Sequence, residues 1–396
     1  MTEAPVPIDD VTRRRALVGL QLAYLAQFAS MGLQLPFVAL AMERAGAGPA
    51  VIGAMWAGRS LSGAVVPVLW GLLADRLGGA RPLVVVSLLG GGTIFFVLAE
   101  HHEPSTAIAL FVLYGFIATP ASSLMDGMVL TAIAPNTQRY GRYRVVGTVG
   151  FGLGTAVTAV LLDRGLVDGT PQALFPICGG LSLTAAVVMA TVVPHLPRRA
   201  LTDLRAVGTA LRAPGMLVLI GGAGLLWASH AAYTGFLAPL ADRAGLPTMA
   251  VGAAMVAAVV VEAVLMPAST RILVRVSAGT LMVGCAAVAI ARWLLTAEIH
   301  DATTFIVVNA MHGVTFGLFF VVVVGVVASR VPAELRQTAQ GLLASLSLGV
   351  GGLVGGLLVG QVLESGSPPA SVWRAMAIIA ALSCALLMVA ARQGRR

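Results

Sequence analysis

"HLPRRALTDLRAVGTALRAP", residues 195–214, is the longest polar interval inside the chain, with arginines at 198, 199, 205 and 212. Reading outward from it, six apolar runs precede it, at 16–42, 50–74, 81–100, 105–133, 141–163 and 171–194. Six more follow, at 215–240, 248–271, 277–298, 303–329, 338–363 and 373–391. A helix that crosses a bilayer needs about 20 mostly apolar residues, and every run has that length or close to it. The pattern predicts an all-α membrane protein of twelve transmembrane helices in two pseudo-symmetric six-helix halves. The expected organisation is a tail at 1–15, a bundle at 16–194, the linker at 195–214, a second bundle at 215–391 and a short tail at 392–396.

Composition agrees. Of 396 residues, 58% are hydrophobic and 11% charged, against about 45–50% and 25% in a soluble domain. The lipid bilayer must cover what the fold cannot bury. The net charge of +8 raises the question of nucleic acid, but the charge follows the loops. With the N-terminus placed inside, inner segments hold 18 of the 25 arginines and outer loops four, while nine of the 17 acids lie outside. The positive-inside rule then puts both termini and the linker in the cytoplasm of a cell membrane, as in a bacterial inner membrane, and nucleic acid is set aside. All basic residues are Arg, and the chain has no Lys. Cys178, Cys285 and Cys384 lie in apolar runs without metal or disulfide spacing and read as core residues. The run after Arg15 reads as a first spanning helix and not as a cleaved signal. No cofactor or metal is expected, and nothing demands more than a monomer.

The halves echo each other. The second run ends "PVLWGLLADRLGG" from Pro67 and the eighth ends "PASTRILVRVSAG" from Pro267. The fifth and eleventh are glycine-rich, which suits close helix approach in lipid. Repeated halves point to a transporter with its site between them near the midplane.

Charges at membrane depth are expensive and mark functional sites. Seven ionisable residues qualify: Arg59, Asp126, Arg144, His230, Glu262, Arg292 and His312. Asp126 lies nine residues before Pro135 and Arg144 nine after it. Each is therefore roughly 13 Å from the hairpin turn, at matching depth on neighbouring helices. They can form a structural ion pair or hold a polar substrate. Glu262, in "AAVVVEAVLMP", has no local partner, and a buried carboxyl can hold a proton at neutral pH. Arg292 precedes Trp293 and reads equally as an interfacial anchor or a functional group. His230 has Tyr233 three residues on, and His312 has Asn309 three residues before it. Tyr24, Gln27, Gln34 and Phe151 are weaker candidates for the same cavity.

"GLLADRLGGAR", residues 71–81, resembles the signature loop of the major facilitator superfamily. The resemblance implies that Gly71, Asp75, Arg76 and Gly78 belong to a cytoplasmic gate. "YGRYRVVGTVGFGLG", from Tyr140, resembles the helix 5 entrance of the lactose permease-like and phenylpropionate permease-like proton symporters. That implies Asp126 and Arg144 as substrate contacts. Asp stands where the lactose permease has Glu, and Phe151 where a sugar-stacking Trp would be, which speaks against a galactoside. Glu262, Arg292 and His312 match three of that family's substrate and proton roles, and the carboxylate of its tenth helix has no counterpart here. The expected function is secondary active transport of a small polar or anionic organic molecule by alternating access, coupled to proton symport. Arg59, Asp126, Arg144, Phe151, His230, Tyr233 and Arg292 are the expected substrate contacts. Glu262, His312 and Asp126 are the expected proton groups. A proton-antiporting exporter is the alternative, although the glycine-proline signature of many drug antiporters is absent from the fifth helix. A sensor or scaffold ranks lower, because the chain has no effector domain. A membrane enzyme ranks lower still, because there is no metal box or nucleophile–base constellation.

Overall fold

The computed structural model describes residues 9–77, 79–134, 140–196, 208–209, 211–331 and 336–393. Among these, every regular element is helical. In chain order they are α1 (Asp10–Arg44), α2 (Pro49–Arg76), α3 (Arg81–Glu100), α4 (Pro104–Ile133), α5 (Tyr140–Asp163) and α6 (Pro171–Thr191). The second half holds α7 (Met216–Arg243), α8 (Thr248–Arg275), α9 (Ala278–Thr296) and α10 (Ala302–Ser329). It ends with α11, in three pieces (Arg336–Leu343, Ala344–Val350, Gly351–Glu364), and α12 (Pro369–Gln393). Among the described residues, eleven helices are long and apolar enough to cross a membrane, and α2, of 28 residues, completes the twelve. Most of the 195–214 linker lies outside the described residues, as do Gly78 and Arg139.

One boundary differs from the sequence reading. The tail expected over 1–15 becomes helix at Asp10, because α1 extends six residues beyond its apolar run, from Asp10 to Arg15. Hydropathy stops at the arginines, but the helix has a cap to start on: the Asp9 side chain accepts from the Thr12 N–H at 2.8 Å. That bond satisfies one of the free N–H groups of the first turn and holds the Asp9 carboxyl below its usual range. Asp301 caps α10 in the same way through the Thr304 N–H.

Four helices are interrupted near mid-depth. α4 breaks at Thr119, before Pro120, where the missing proline N–H ends the ladder. α7 breaks at Ser229–His230. α10 and α11 each contain a π-helical turn, Gly313–Leu318 and Ala344–Val350. Such turns insert an extra residue and re-aim the side chains around it. All four interruptions fall on helices that border or support the central cavity.

The halves meet where α1 packs on α7, α2 on α11 and α5 on α8. The α2–α11 seam is backbone on backbone. A Cβ on Gly53 would lie 2.7 Å from the Gly356 carbonyl oxygen, so only glycine permits this approach. At the same end of the molecule, Arg243 Nη2 donates to Glu43 Oε1 at 2.6 Å, and the Ala50 N–H donates to Glu364 Oε2 at 3.1 Å. Each of these bonds ties one half to the other.

Candidate functional site

A cavity of about 480 Å³ lies between the halves. Its walls are largely apolar and aromatic, with Phe28, Trp56 and Phe151 on one side and Trp227, Tyr233 and Phe316 on the other. A pocket of that size, apolar with a few convergent polar groups, suits a small organic ligand.

The first half contributes two arginines to the wall, Arg59 and Arg144. Arg144 sits one turn inside α5, and its Nε lies 3.6 Å from Asp126 Oδ1 across the α4–α5 hairpin. The equal depth inferred from the sequence thus becomes a contact. Asp126 also accepts from the Tyr24 hydroxyl at 2.5 Å. Arg144 lies over the Phe28 ring, 4.1 Å from its centroid. Arg59 is different. Its guanidinium lies 5.4 Å from the Trp56 centroid and 5.9 Å from that of Tyr114, and no carboxylate pairs with it among the described residues. An arginine over aromatic faces is held in place while its N–H groups remain available.

The second half contributes Glu262, His230, Tyr233 and His312 to the wall. Glu262 reaches the cluster because α8 runs against the π-turn of α10. A Cβ on Gly317 would sit 2.7 Å from Glu262 Cγ, so the turn leaves room for the acid only as glycine. Glu262 Oε1 then lies 3.3 Å from His312 Nε2. The His312 ring stacks on Tyr233 with centroids 4.4 Å apart. Behind it stands Arg292, wholly buried. Arg292 Nη1 donates to His312 Nδ1 and to Thr315 Oγ1, both at 3.1 Å, and Nη2 donates to Asn309 Oδ1 at 3.0 Å. Its guanidinium carbon lies 4.4 Å from the Tyr233 centroid and 4.2 Å from that of Trp293. The interfacial-anchor reading of Arg292 therefore does not hold, because the side chain points into protein and not toward headgroups.

The structure thus brings Arg59, Arg144, Phe151, His230, Tyr233, Glu262 and His312 to one cavity. Asp126 and Arg292 do not line it. They stand one layer back, bonded to residues that do. Gln27 and Gln34, expected at the cavity, are spent inside the first half. Gln27 accepts from Ser182 at 2.9 Å and Gln34 accepts from Tyr114 at 2.7 Å. Gly71, Asp75 and Arg76 lie on the last two turns of α2, with Arg76 exposed, and Gly78 is outside the described residues. Thr315 escaped the sequence reading, although it lies within the "NAMHGVTFG" segment around His312.

Two six-helix halves around a central cavity with buried charges define a multi-pass membrane transporter of the major facilitator fold, a secondary transporter. Sequence comparison agrees: residues 17–375 match the model of the MFS_1 like family, and the chain belongs to that family. It is 26% identical over 346 residues to the "Probable 3-phenylpropionic acid transporter" of Escherichia coli (strain K12), covering 83% of this chain and 86% of that one. It is 25% identical over 299 residues to the maltose permease of Geobacillus stearothermophilus, covering 75% and 74%. Among solved structures, the nucleoside transporter NupG superposes with a TM-score of 0.80 at 18% identity, covering 96% of this chain and 99% of that one. A peptide transporter of the POT family superposes with a TM-score of 0.74 at 13% identity, covering 97% of each chain.

Proposed function

We propose that this transporter carries a small organic anion with an apolar or aromatic body, in symport with protons, across a bacterial inner membrane with both termini in the cytoplasm. The observation that carries the reading is Arg59. A guanidinium at the wall of an apolar cavity, with aromatic faces beneath it and no carboxylate partner among the described residues, fits an anion supplied by the substrate. Trp56, Phe28 and Phe151 would enclose the apolar body. The aromatic acid named for the Escherichia coli relative fits this chemistry. Coupling is supported by Glu262, a carboxylic acid in the same cavity as the arginines. Neutralised by a proton, it balances the incoming anion. Once it is ionised, substrate and proton leave together. The two halves rock about the cavity, and Asp75, Arg76 and their neighbours gate the cytoplasmic end.

The test uses purified protein in liposomes with an imposed pH gradient and separate pools of aromatic carboxylates, maltose-type sugars and nucleosides. Uptake of a carboxylate with protons moving in the same direction, weakened in Arg59→Gln, is the expected result. Opposed fluxes would replace symport with export. A sugar or nucleoside carried equally well by Arg59→Gln would overturn the anion.

A further inference from the structure

The donors and acceptors around Arg292 decide which groups in the second half can exchange a proton. An arginine only donates, and a backbone carbonyl only accepts. His312 Nδ1 takes a hydrogen from Arg292 Nη1 at 3.1 Å, so this nitrogen is the unprotonated one and the ring hydrogen sits on Nε2, 3.3 Å from Glu262. His230 Nδ1 lies 2.8 Å from the Leu226 carbonyl oxygen, so here Nδ1 holds the hydrogen and Nε2 accepts, from the Thr315 hydroxyl at 3.0 Å. Thr315 Oγ1 in turn accepts from Arg292. Asn309 completes the set, because its amide donates to the Phe305 carbonyl at 2.9 Å and must therefore turn its oxygen to Arg292.

We propose that Thr315 is the positioning residue of this network: its single hydroxyl ties Arg292 to His230, so that Arg292 and the Leu226 carbonyl keep the two histidines as opposite neutral tautomers and Glu262 is left as the group that exchanges the transported proton. A second hydrogen on His312 would set two donors face to face beside a guanidinium. On His230 it would require the Thr315 oxygen to receive two cations. The groups facing Glu262 and its cluster are His312 and Thr315 from α10, Arg292 from α9, His230 and Tyr233 from α7, and Arg144 across the cavity from α5. Asp126 is held apart as the partner of Arg144 and Tyr24. The assignment deepens the proton-coupling reading above and rests on it.

The experiment needs no substrate. The full-length protein is labelled with ¹⁵N-histidine in lipid nanodiscs, and its ring nitrogens are followed by NMR between about pH 5 and 8, the range in which a free imidazole titrates. His230→Gln and His312→Gln assign the two signals. The expected result is one ring protonated at Nδ1 and one at Nε2, neither titrating, while His101, His102, His195 and His300 serve as controls for an intact fold. Thr315→Ser should keep the wild-type signals, and Thr315→Val should shift the His230 Nε2 signal, which loses its hydroxyl donor, while the Leu226 carbonyl and Arg292 keep the two tautomers. An infrared titration should show a buried protonated-carboxyl band that disappears in Glu262→Gln. An imidazolium at His312 in wild type, Thr315→Val signals identical to wild type, or a band that survives Glu262→Gln would each overturn the assignment. Because these readouts are spectroscopic, they separate from the liposome result: absent proton flux with the expected spectra removes the coupling, and coupled flux with altered spectra removes this assignment alone.

Discussion

At the scale of single residues, the three arginines of the site differ in what they already hold. Arg59 presents an open cation, whereas Arg144 and Arg292 are already occupied. A hydrogen bond between charged partners contributes about 1.5–3 kcal/mol. Arg59→Gln should therefore weaken binding of an anionic substrate roughly 10- to 150-fold. Isothermal titration against the carboxylate identified in liposomes measures this, and Arg59→Lys should recover only part of it because the planar fork is lost. Glu262→Gln is expected to abolish accumulation driven by a pH gradient while sparing exchange of substrate across the membrane, read by counterflow in the same vesicles. Asp126→Asn leaves Arg144 without its carboxylate. Both side chains are about one-third exposed, so the loss in melting temperature should be modest, and smaller when Arg144→Gln is added.

At the scale of elements, the interruptions matter more than the helices. The twelve runs were legible because hydropathy needs only length and composition. Asp126 and Arg144 were legible because a hairpin equates depths on its two arms. The π-turn of α10 and the break at His230 were not. Their cause is tertiary, in the close pass of α8 along Gly313 and Gly317 and the packing of Ser229, which accepts from the Trp293 indole at 3.3 Å. Thr315 was hidden for a related reason. Threonines in membrane helices commonly return the hydroxyl to their own helix, as Thr158 does to Gly154 and Thr184 to Gly180, and nothing local separates these from one that bonds across. Gly317→Ala tests the element directly. Its new methyl must displace the Glu262 stem, and crowding of this kind destabilises by about 1–3 kcal/mol. The melting temperature and gradient-driven transport should fall together. Gly325→Ala on the same helix meets no atom within 4 Å. It should be neutral, or stabilising by up to about 1 kcal/mol.

At the scale of the whole molecule, the described links between the halves, Arg243 with Glu43 and Glu364 with the start of α2, lie at one end. That is the outer end if the inner arginines mark the cytoplasm. The ion pair is partly exposed, and such a pair contributes about 0.2–1 kcal/mol. Removing both links, as Glu43→Ala with Glu364→Ala, should shift the resting population toward opening at this end by a few-fold. Spin labels on the two halves at that end would read the shift as growth of a longer distance. Gly53→Leu is expected to act more strongly, because it wedges the seam itself, and should hold this end apart.

That seam bears on how fast the carrier can cycle. Where α2 lies on α11, the surfaces in contact are peptide groups already bonded within their own helices. Beyond the bond from the Ala50 N–H to Glu364 at the end of the seam, parting them strands no described donor or acceptor. Along the rest of the seam water entering the gap has no broken hydrogen bond to repair, and dispersion contacts are surrendered there, each of them about 0.1–0.2 kcal/mol. A joint of this kind releases gradually, like an unzipped face, and recloses in a single register because only glycine opposite a carbonyl fits. The α2–α11 contact is therefore expected to open with little change in hydrogen bonding to solvent. Its opening rate should be nearly the same in light and heavy water, whereas a step that moves a proton through Glu262, as proposed, should slow down.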